Sequence, residues 1–323
     1  MLPEAPDIRT RLRTGLSGGF RTALKIARIT FPIYVGVDLL KTTTPAVDAL
    51  GRLFAPAMAL FGLPGTSAFA FVAAGLLNIY AGLAIIVPLG LDAFQVTQCG
   101  LMMGIAHNLL LEGGVLGSTG TRGTALTLLR ILLAIVAGLG LNGARLLGLL
   151  DLTGAAPVKA VAAATASVAI RLPFADALGN SLLGALRLSA KLVLIIVPLV
   201  ALFELLRHMP VFRKAGRAVD PAMRGMGLTA DSAVPLFTGI FLGIAYGAGI
   251  IIRVAQEKGL PKRDLFLMGL FLATCHAVVE DTLVFGAIGG SMSMILGIRT
   301  LLAFALTAAL GRLWKREPNA LKS

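Results

Sequence analysis

The chain of 323 residues has few charged residues, few aromatic residues and only two cysteines. Asp, Glu, Lys and Arg make up 14% of it, whereas a soluble domain of this length carries roughly a quarter. Two cysteines cannot form the framework of several disulfides that stabilises small secreted domains. The composition therefore excludes an ordinary soluble domain and a disulfide-stabilised one.

Recognisable catalytic and nucleotide-binding motifs are also missing. There is no P-loop, no His-Glu-x-x-His zinc motif and no paired-cysteine metal motif. We therefore predict that the protein is not an enzyme and that it needs no cofactor. An intramembrane enzyme stays open as a third reading, because histidines and carboxylates are available although an evident nucleophile is not.

Apolar residues dominate what is present. The chain is 57% hydrophobic with a mean hydropathy of +0.87, and several stretches approach the roughly 20 apolar residues that cross a bilayer. We predict an all-α, polytopic protein of the inner (plasma) membrane, with the lipid bilayer as its partner. The net charge of +13 fits basic cytoplasmic loops and helix ends. Without an aromatic-basic platform, nucleic acid is not an expected partner.

The sequence also contains an internal repeat. Matched residues recur at a nearly constant offset and include charged residues inside apolar segments, which chance would rarely place twice. The matches pair Arg21, Lys25 and Pro32 with Arg187, Lys191 and Pro198, and pair His107, Glu112 and Arg130 with His276, Asp281 and Arg299. A duplicated apolar unit with matched charges is typical of many secondary transporters.

The repeat predicts the organisation of the chain. The segments are a cytoplasmic basic N-terminal segment at 1–19, a first repeat at 20–149, a linker at 150–182, a second repeat at 183–312 and a cytoplasmic tail at 313–323. Each repeat should contain five apolar segments, some of them broken or re-entrant. Equivalent turns carry opposite charge bias, and basic loops favour the cytoplasm. We therefore predict two inverted halves with both termini cytoplasmic. If segments 45–63 and 211–228 only re-enter the membrane, the halves are instead parallel.

Polar and ionisable side chains inside the apolar runs are the candidate substrate-binding or ion-binding residues. They are Asn78, His107, Asn108, Glu112, Tyr246, His276, Glu280 and Asp281. A carboxylate at mid-bilayer costs about 2.5 kcal/mol or more, so these groups need partners, water or a cation. Histidine suits a proton relay, and histidine with carboxylate suits a transition metal, so the sequence leaves a metal open.

Helix geometry qualifies this set. His276 and Glu280 are one turn apart and share a face of a continuous helix. His107 and Glu112 are five residues apart and fit one surface only if their helix breaks, for which Gly113-Gly114 is the predicted place. Alternatively, the acidic groups pair with Arg130 and Arg299 and only lock helices together.

The motifs around the two histidines resemble the nucleoside recognition (Gate) family of membrane proteins. The similarity lies in the run from His107 to Glu112 with Gly117 and Gly120, in the run from His276 to Phe285 with Gly289 and Arg299, and in the Pro-Ala-Met segments at 56–58 and 221–223. The first half is similar to the A-type spore maturation protein and the second to the B-type. The resemblance implies transport or gating by two oppositely oriented gates, without giving a substrate.

Two functions follow as hypotheses. The first is a secondary transporter or permeation protein for a small polar or cationic solute, either nucleoside-like or a metal ion, with a midplane site between the repeats. The alternative is a membrane scaffold or regulatory protein related to the spore maturation proteins, which transports nothing. The substrate, the coupling ion and a homo-oligomer are left open.

Overall fold

A computed structural model describes residues 7–150, 172–206 and 220–314, which form helices and no strands. The first half contains α1 (Ile8–Thr43), α2 (Ala46–Ala59), α3 (Ser67–Leu76), α4 (Ile79–Ile86), α5 (Ala93–Ile105), α6 (Leu109–Ser118) and α7 (Gly123–Leu146). The second contains α8 (Phe174–Leu206), α9 (Asp220–Gly225), α10 (Ala233–Glu257), α11 (Lys262–Thr274), α12 (Val278–Gly286) and α13 (Met292–Leu313). The all-α prediction is confirmed.

The order of elements matches the predicted repeat. In each half a long helix is followed by a short one, by an interrupted helical segment, by a second interrupted segment and by a final long helix. Thus α8 corresponds to α1, α10 to α3 and α4 together, α11 and α12 to α5 and α6, and α13 to α7.

Within the part of the chain that the structure describes, five stretches are long and apolar enough to cross a bilayer: 93–118, 123–146, 174–205, 262–286 and 292–313. This confirms a polytopic membrane protein. The two stretches that contain interrupted helices are the most enclosed. In their most apolar 18 residues, 56% and 83% of the residues are buried inside the protein, against 22% for α8. The interruptions therefore lie inside the protein, where α1, α7, α8 and α13 surround them.

The long helices α1 and α8 pack against each other along their length. Gly19 lies so close to Val197 that a β-carbon on the glycine would be 2.8 Å from the Val197 Cα. Towards the other end of α1, the Ser181 hydroxyl donates to the Asp38 carboxylate at 2.7 Å. Residue numbers rise along one helix as they fall along the other, so these equivalent helices are antiparallel.

The segment before α5 forms a helical hairpin. Gly82 on α4 packs so closely on α3 that a β-carbon there would lie 2.9 Å from the Ala70 carbonyl oxygen and from the Ala74 Cβ. Ala74 and Gly82 lie equally far before and after Asn78, so α4 folds back along α3 and the two helices are antiparallel. In the second half α10 is interrupted at Gly243, where φ is 77° and ψ is 171°, and Gly247 packs back on Thr238. The apolar segments at 66–90 and 233–253, one in each predicted repeat, therefore each turn back on themselves.

These hairpins bear on the orientation of the halves. With 14 residues, α2 is about 21 Å long, too short for a hydrocarbon core of about 30 Å. If the hairpins do not cross, and if α1 crosses like its counterpart α8, each half has three crossings, made in the first half by α1, by α5 with α6, and by α7. An odd number is consistent with inversion, by a route other than the predicted crossing of segment 45–63.

Several predicted regions fall wholly or partly outside the described residues: the start of the N-terminal segment, most of the linker at 150–182, half of the segment at 211–228 and most of the C-terminal tail. Within the described part, α1 begins at Ile8 and α8 at Phe174. The boundaries of the two repeats stay predictions.

Candidate functional site

Four interruptions of helices face one cavity of about 390 Å³. They lie at 77–78, at 106–108, at Gly243 and at 275–277. The cavity is lined by Lys25, Ile26, Ile29, Leu77, Asn78, Ile79, Tyr80, His107, Asn108, Leu111, Glu112, Leu242, Gly243, Ala245, His276, Ala277, Glu280 and Asp281. Ile29 and Leu111 are exposed, so the cavity reaches the surface of the protein beside them.

The structure brings nearly all of the predicted site residues together. Those lining the cavity are Asn78, His107, Asn108, Glu112, His276, Glu280 and Asp281. The side chain of Tyr246 lies outside the described residues. The polar groups that the sequence places far apart thus share one space, and their binding role stays a prediction.

Equivalent positions break the two buried spans in the same way. Asn108 and Ala277, each just before the second helix of its span, have left-handed backbone with φ of 48° and 44°. The peptide N–H of Asn108 donates to the Ala74 carbonyl at 2.8 Å, and that of Ala277 donates to the Gly239 carbonyl at 3.1 Å. Each break is therefore held by the hairpin of its own half.

The break predicted at Gly113-Gly114 is wrong. Both glycines lie inside α6, and a β-carbon on Gly113 would be 2.3 Å from the Thr127 hydroxyl oxygen, so this glycine permits close contact with α7. His276 and Glu280 do not share a continuous helix either, because His276 precedes α12 and Glu280 lies in its first turn. The residues meet because the helices stop, not because of helical spacing.

Arg130, fully buried on α7, supplies the hydrogen bonds that the first break removes. Its Nε donates to the Ile105 carbonyl and its Nη2 to the His107 carbonyl, each at 2.8 Å. The last carbonyls of a helix have no partner within it, and an unpaired one inside a membrane costs several kcal/mol. Nη1 lies 2.8 Å from Oε2 of Glu112, in the first turn of α6, where the helix dipole also favours a negative charge.

Arg299, fully buried on α13, does the same for the second break. Its Nε donates to the Thr274 carbonyl at 3.2 Å and its Nη2 to the His276 carbonyl at 2.9 Å. Nη2 also donates to the Gly104 carbonyl in the first half at 2.7 Å, and Nη1 donates to Asp281 at 2.9 Å. The sequence-based alternative, in which these acids pair with the two arginines, is therefore what the structure shows for Glu112 and Asp281.

The two histidines meet at the centre of the site. Nδ1 of His107 lies 2.8 Å from the Met103 carbonyl, and Nδ1 of His276 lies 2.6 Å from the Leu272 carbonyl. A carbonyl only accepts, so both Nδ1 atoms carry hydrogen, and in its neutral form each ring has a bare lone pair on Nε2. The two Nε2 atoms are 3.3 Å apart.

Glu112 completes a group of three buried side chains. Its Oε2 is 3.1 Å from Nε2 of His276, and its Oε1 is 3.6 Å from Nε2 of His107. One donor atom from each of the three residues lies within 4.8 Å of the others, close enough to hold one metal ion. We call this group the His–His–Glu cluster.

Sequence reasoning did not include Tyr80 in the site. Its hydroxyl donates to Oε1 of Glu280, so a side chain on α4 of the first half contacts one on α12 of the second. A tyrosine two residues after Asn78 in an apolar segment was the available signal. Lys25 also lines the cavity, and its match with Lys191 was the only sign of it.

These features define the class: a polytopic α-helical membrane protein whose two corresponding halves place interrupted helices around one polar cavity. Residues 189–292 match the family described as nucleoside recognition (Gate). The chain is 35% identical over 311 residues to the uncharacterized membrane protein YvoD of Bacillus subtilis (strain 168), covering 95% of this chain and 96% of that protein. No solved structure shows significant similarity.

The chain therefore belongs to the nucleoside recognition (Gate) family of membrane proteins, together with that Bacillus protein. The matched segment contains the second helix break with His276, Glu280 and Asp281. This agrees with the resemblance read from the histidine motifs.

Proposed function

We propose that the protein is a secondary transporter or permeation protein that moves a small polar or cationic solute through the cavity between its halves. The observation that carries this proposal is the convergence of four helix interruptions on one polar cavity. Non-helical backbone at membrane depth is tolerated only where it is buried or lines a cavity, and transporters use such broken helices to build binding sites. Histidine and carboxylate side chains at the same place fit a polar or charged solute.

The antiparallel pairing of α1 and α8 supports inverted halves related by an axis in the membrane plane. The contact of His107 with its counterpart His276 fits a site on that axis, near the bilayer midplane. Together with the charge bias of the loops, this favours an inner-membrane protein with both termini cytoplasmic. Rocking of one half against the other would give alternating access, and it would separate Tyr80 from Glu280.

Accessibility of a cavity residue tests this proposal without knowledge of the solute. Cys99 and Cys275 are replaced by serine, and Asn108→Cys is introduced in the full chain. Vesicles of both orientations are then treated with a membrane-impermeant maleimide. We expect labelling of residue 108 from both sides, because the cavity opens to each side in turn.

A matched variant, Leu101→Cys, controls for non-specific reaction. Leu101 is fully buried on α5 and does not line the cavity, so it should stay unlabelled. Protection of residue 108 from both sides, or labelling from one side only, would contradict transport.

The two arginine–carboxylate pairs favour a second candidate, a scaffold or regulatory protein whose buried charges serve only the fold. In that case the cavity gives access from one side at most. The labelling experiment separates the two functions, since a scaffold does not expose residue 108 to both sides.

A further inference from the structure

The His–His–Glu cluster has three hydrogen-bond acceptors pointing at one another. Because both Nδ1 atoms donate to backbone carbonyls, the Nε2 lone pairs of His107 and His276 face each other at 3.3 Å. A carboxylate oxygen of Glu112 lies 3.1 Å from one of them. Such a group is repulsive unless a positive species lies between its members.

Arg130 offsets the charge of Glu112, but it does not complete the hydrogen bonds of the cluster. Its Nη1 is 2.8 Å from Oε2 of Glu112, but neither atom makes a hydrogen bond of acceptable geometry among the described residues. Glu112 is 2% exposed, so a buried carboxylate oxygen directed at the two imidazoles lacks a donor. This second observation also points to a bound cation.

The distances favour a metal ion over a shared proton. Ligand atoms at 2.0–2.1 Å from a tetrahedral ion lie about 3.3 Å from each other. The two Nε2 atoms are 3.3 Å apart, Oε2 of Glu112 lies 3.1 Å from Nε2 of His276, and its other oxygen, Oε1, lies 3.6 Å from Nε2 of His107. A proton on Nε2 of His276 could bond to Glu112 at 3.1 Å, but it would leave the Nε2 lone pair of His107 without a partner, whereas a metal ion would contact all three side chains.

The surroundings resemble those of a metal site. Each ligand imidazole is fixed by the hydrogen bond of its other nitrogen to a backbone carbonyl, the usual outer contact of metal-bound histidine. Two imidazoles and a carboxylate suit a divalent transition metal. The thiol of Cys275 lies 3.8 Å from the Thr300 hydroxyl and is not part of the cluster, which argues against a soft monovalent ion.

We propose that His107, His276 and Glu112 bind a divalent transition-metal cation, and that cations of this class are the cargo. The second part rests on the proposed transport function. Three protein ligands leave the fourth position of a tetrahedral ion open towards the cavity, as in exchangeable rather than structural zinc sites. Glu280, on the same cavity, supplies a further carboxylate, which accepts a hydrogen bond from the Tyr80 hydroxyl.

Metal binding by the purified full-length protein tests the site. After chelator treatment, calorimetric titration in detergent should show one Zn²⁺ per chain and no comparable binding of Mg²⁺. His107→Ala, His276→Ala and Glu112→Gln should each abolish the Zn²⁺ isotherm and the rise in melting temperature that Zn²⁺ causes. Asp264→Asn should retain both, because Asp264 is an equally buried carboxylate that does not line the cavity.

If an alanine variant does not elute as a monodisperse species, the corresponding glutamine variant replaces it. Absence of Zn²⁺ binding by the unmodified protein, or binding that survives all three ligand changes, would overturn the metal site. In proteoliposomes holding a zinc indicator, the unmodified protein should admit Zn²⁺ and His276→Ala should not.

The outcomes separate the two proposals. Zn²⁺ binding with residue 108 protected from both sides would keep the site but refute transport. Labelling from both sides without Zn²⁺ binding would keep the pathway and refute a metal cargo.

Discussion

The two halves share their architecture but not the lining of their cavity. Both use a hairpin, a broken buried span and an arginine that bonds to the carbonyls of the break. Yet Glu280 corresponds to Leu111, and Tyr80 corresponds to Ala245. The histidines and the acids that follow them line the cavity from both halves, whereas Glu280 and Tyr80 add polar groups from one half only. The polarity of the cavity can therefore change without a change in the architecture of the breaks.

Loss of an arginine should have the largest effect on stability, and a larger effect in the second half. Arg299→Ala leaves three carbonyls and Asp281 without their buried partner, one of those carbonyls belonging to the first half. Removing one member of a buried ion pair costs about 3–5 kcal/mol of unfolding free energy. We expect Arg299→Ala to lose an amount at the upper end of this range, or not to fold. Arg130→Ala, whose two carbonyl partners belong to its own half, should cost less.

Thermal unfolding in detergent measures both variants. Arg299→Lys keeps the charge but cannot reach three carbonyls and a carboxylate with one ammonium group, so it should recover only part of the stability. Equal melting temperatures for Arg130→Ala and Arg299→Ala would refute the asymmetry between the halves.

Much of the fold and of the cavity lining could be predicted from the sequence. The apolar composition identified the membrane class, and matched ionisable residues in apolar segments identified the repeat and most of the polar cavity lining, because a buried charge in lipid needs a specific reason. The pairing of Glu112 and Asp281 with Arg130 and Arg299 was foreseen only as an alternative.

The breaks were not predictable in position, since Ala106, Asn108 and Ala277 are not helix breakers by type. The left-handed backbone of Asn108 and Ala277 is instead held by hydrogen bonds to carbonyl acceptors on the hairpins, which are distant in the chain. The hairpins were not predicted either. Apolar periodicity cannot distinguish one helix across the bilayer from two helices that turn back at its centre.

The two halves also differ at the tips of their hairpins, and here we expect an effect of intermediate size on stability. The first turns at Asn78, whose side chain accepts from the Ala81 N–H at 3.0 Å as an N-cap in extended backbone. The second turns at Gly243, with φ 77° and ψ 171°, a region open almost only to glycine. Gly243→Ala should therefore destabilise the protein by about 1–3 kcal/mol.

Gly249→Ala is the matched control on the same helix, because its β-carbon would have no atom within 4 Å. It should be neutral or slightly stabilising, since alanine is favoured over glycine within a helix. A melting temperature of Gly243→Ala equal to that of Gly249→Ala would show that the tip is not strained.

The smallest expected effect compares the two left-handed residues. Ala277 pays about 1–2 kcal/mol for this backbone, whereas asparagine adopts it more readily. Glycine removes that strain but loses about 0.5–1 kcal/mol in backbone entropy, so Ala277→Gly should stabilise the protein by less than about 1 kcal/mol. Asn108→Gly should give no gain. Denaturation curves of the two variants, measured side by side, test this prediction. Destabilisation by Ala277→Gly would contradict it. That result would mean that the Ala277 methyl group, which faces Gly243, stabilises the protein through packing by more than the backbone strain costs.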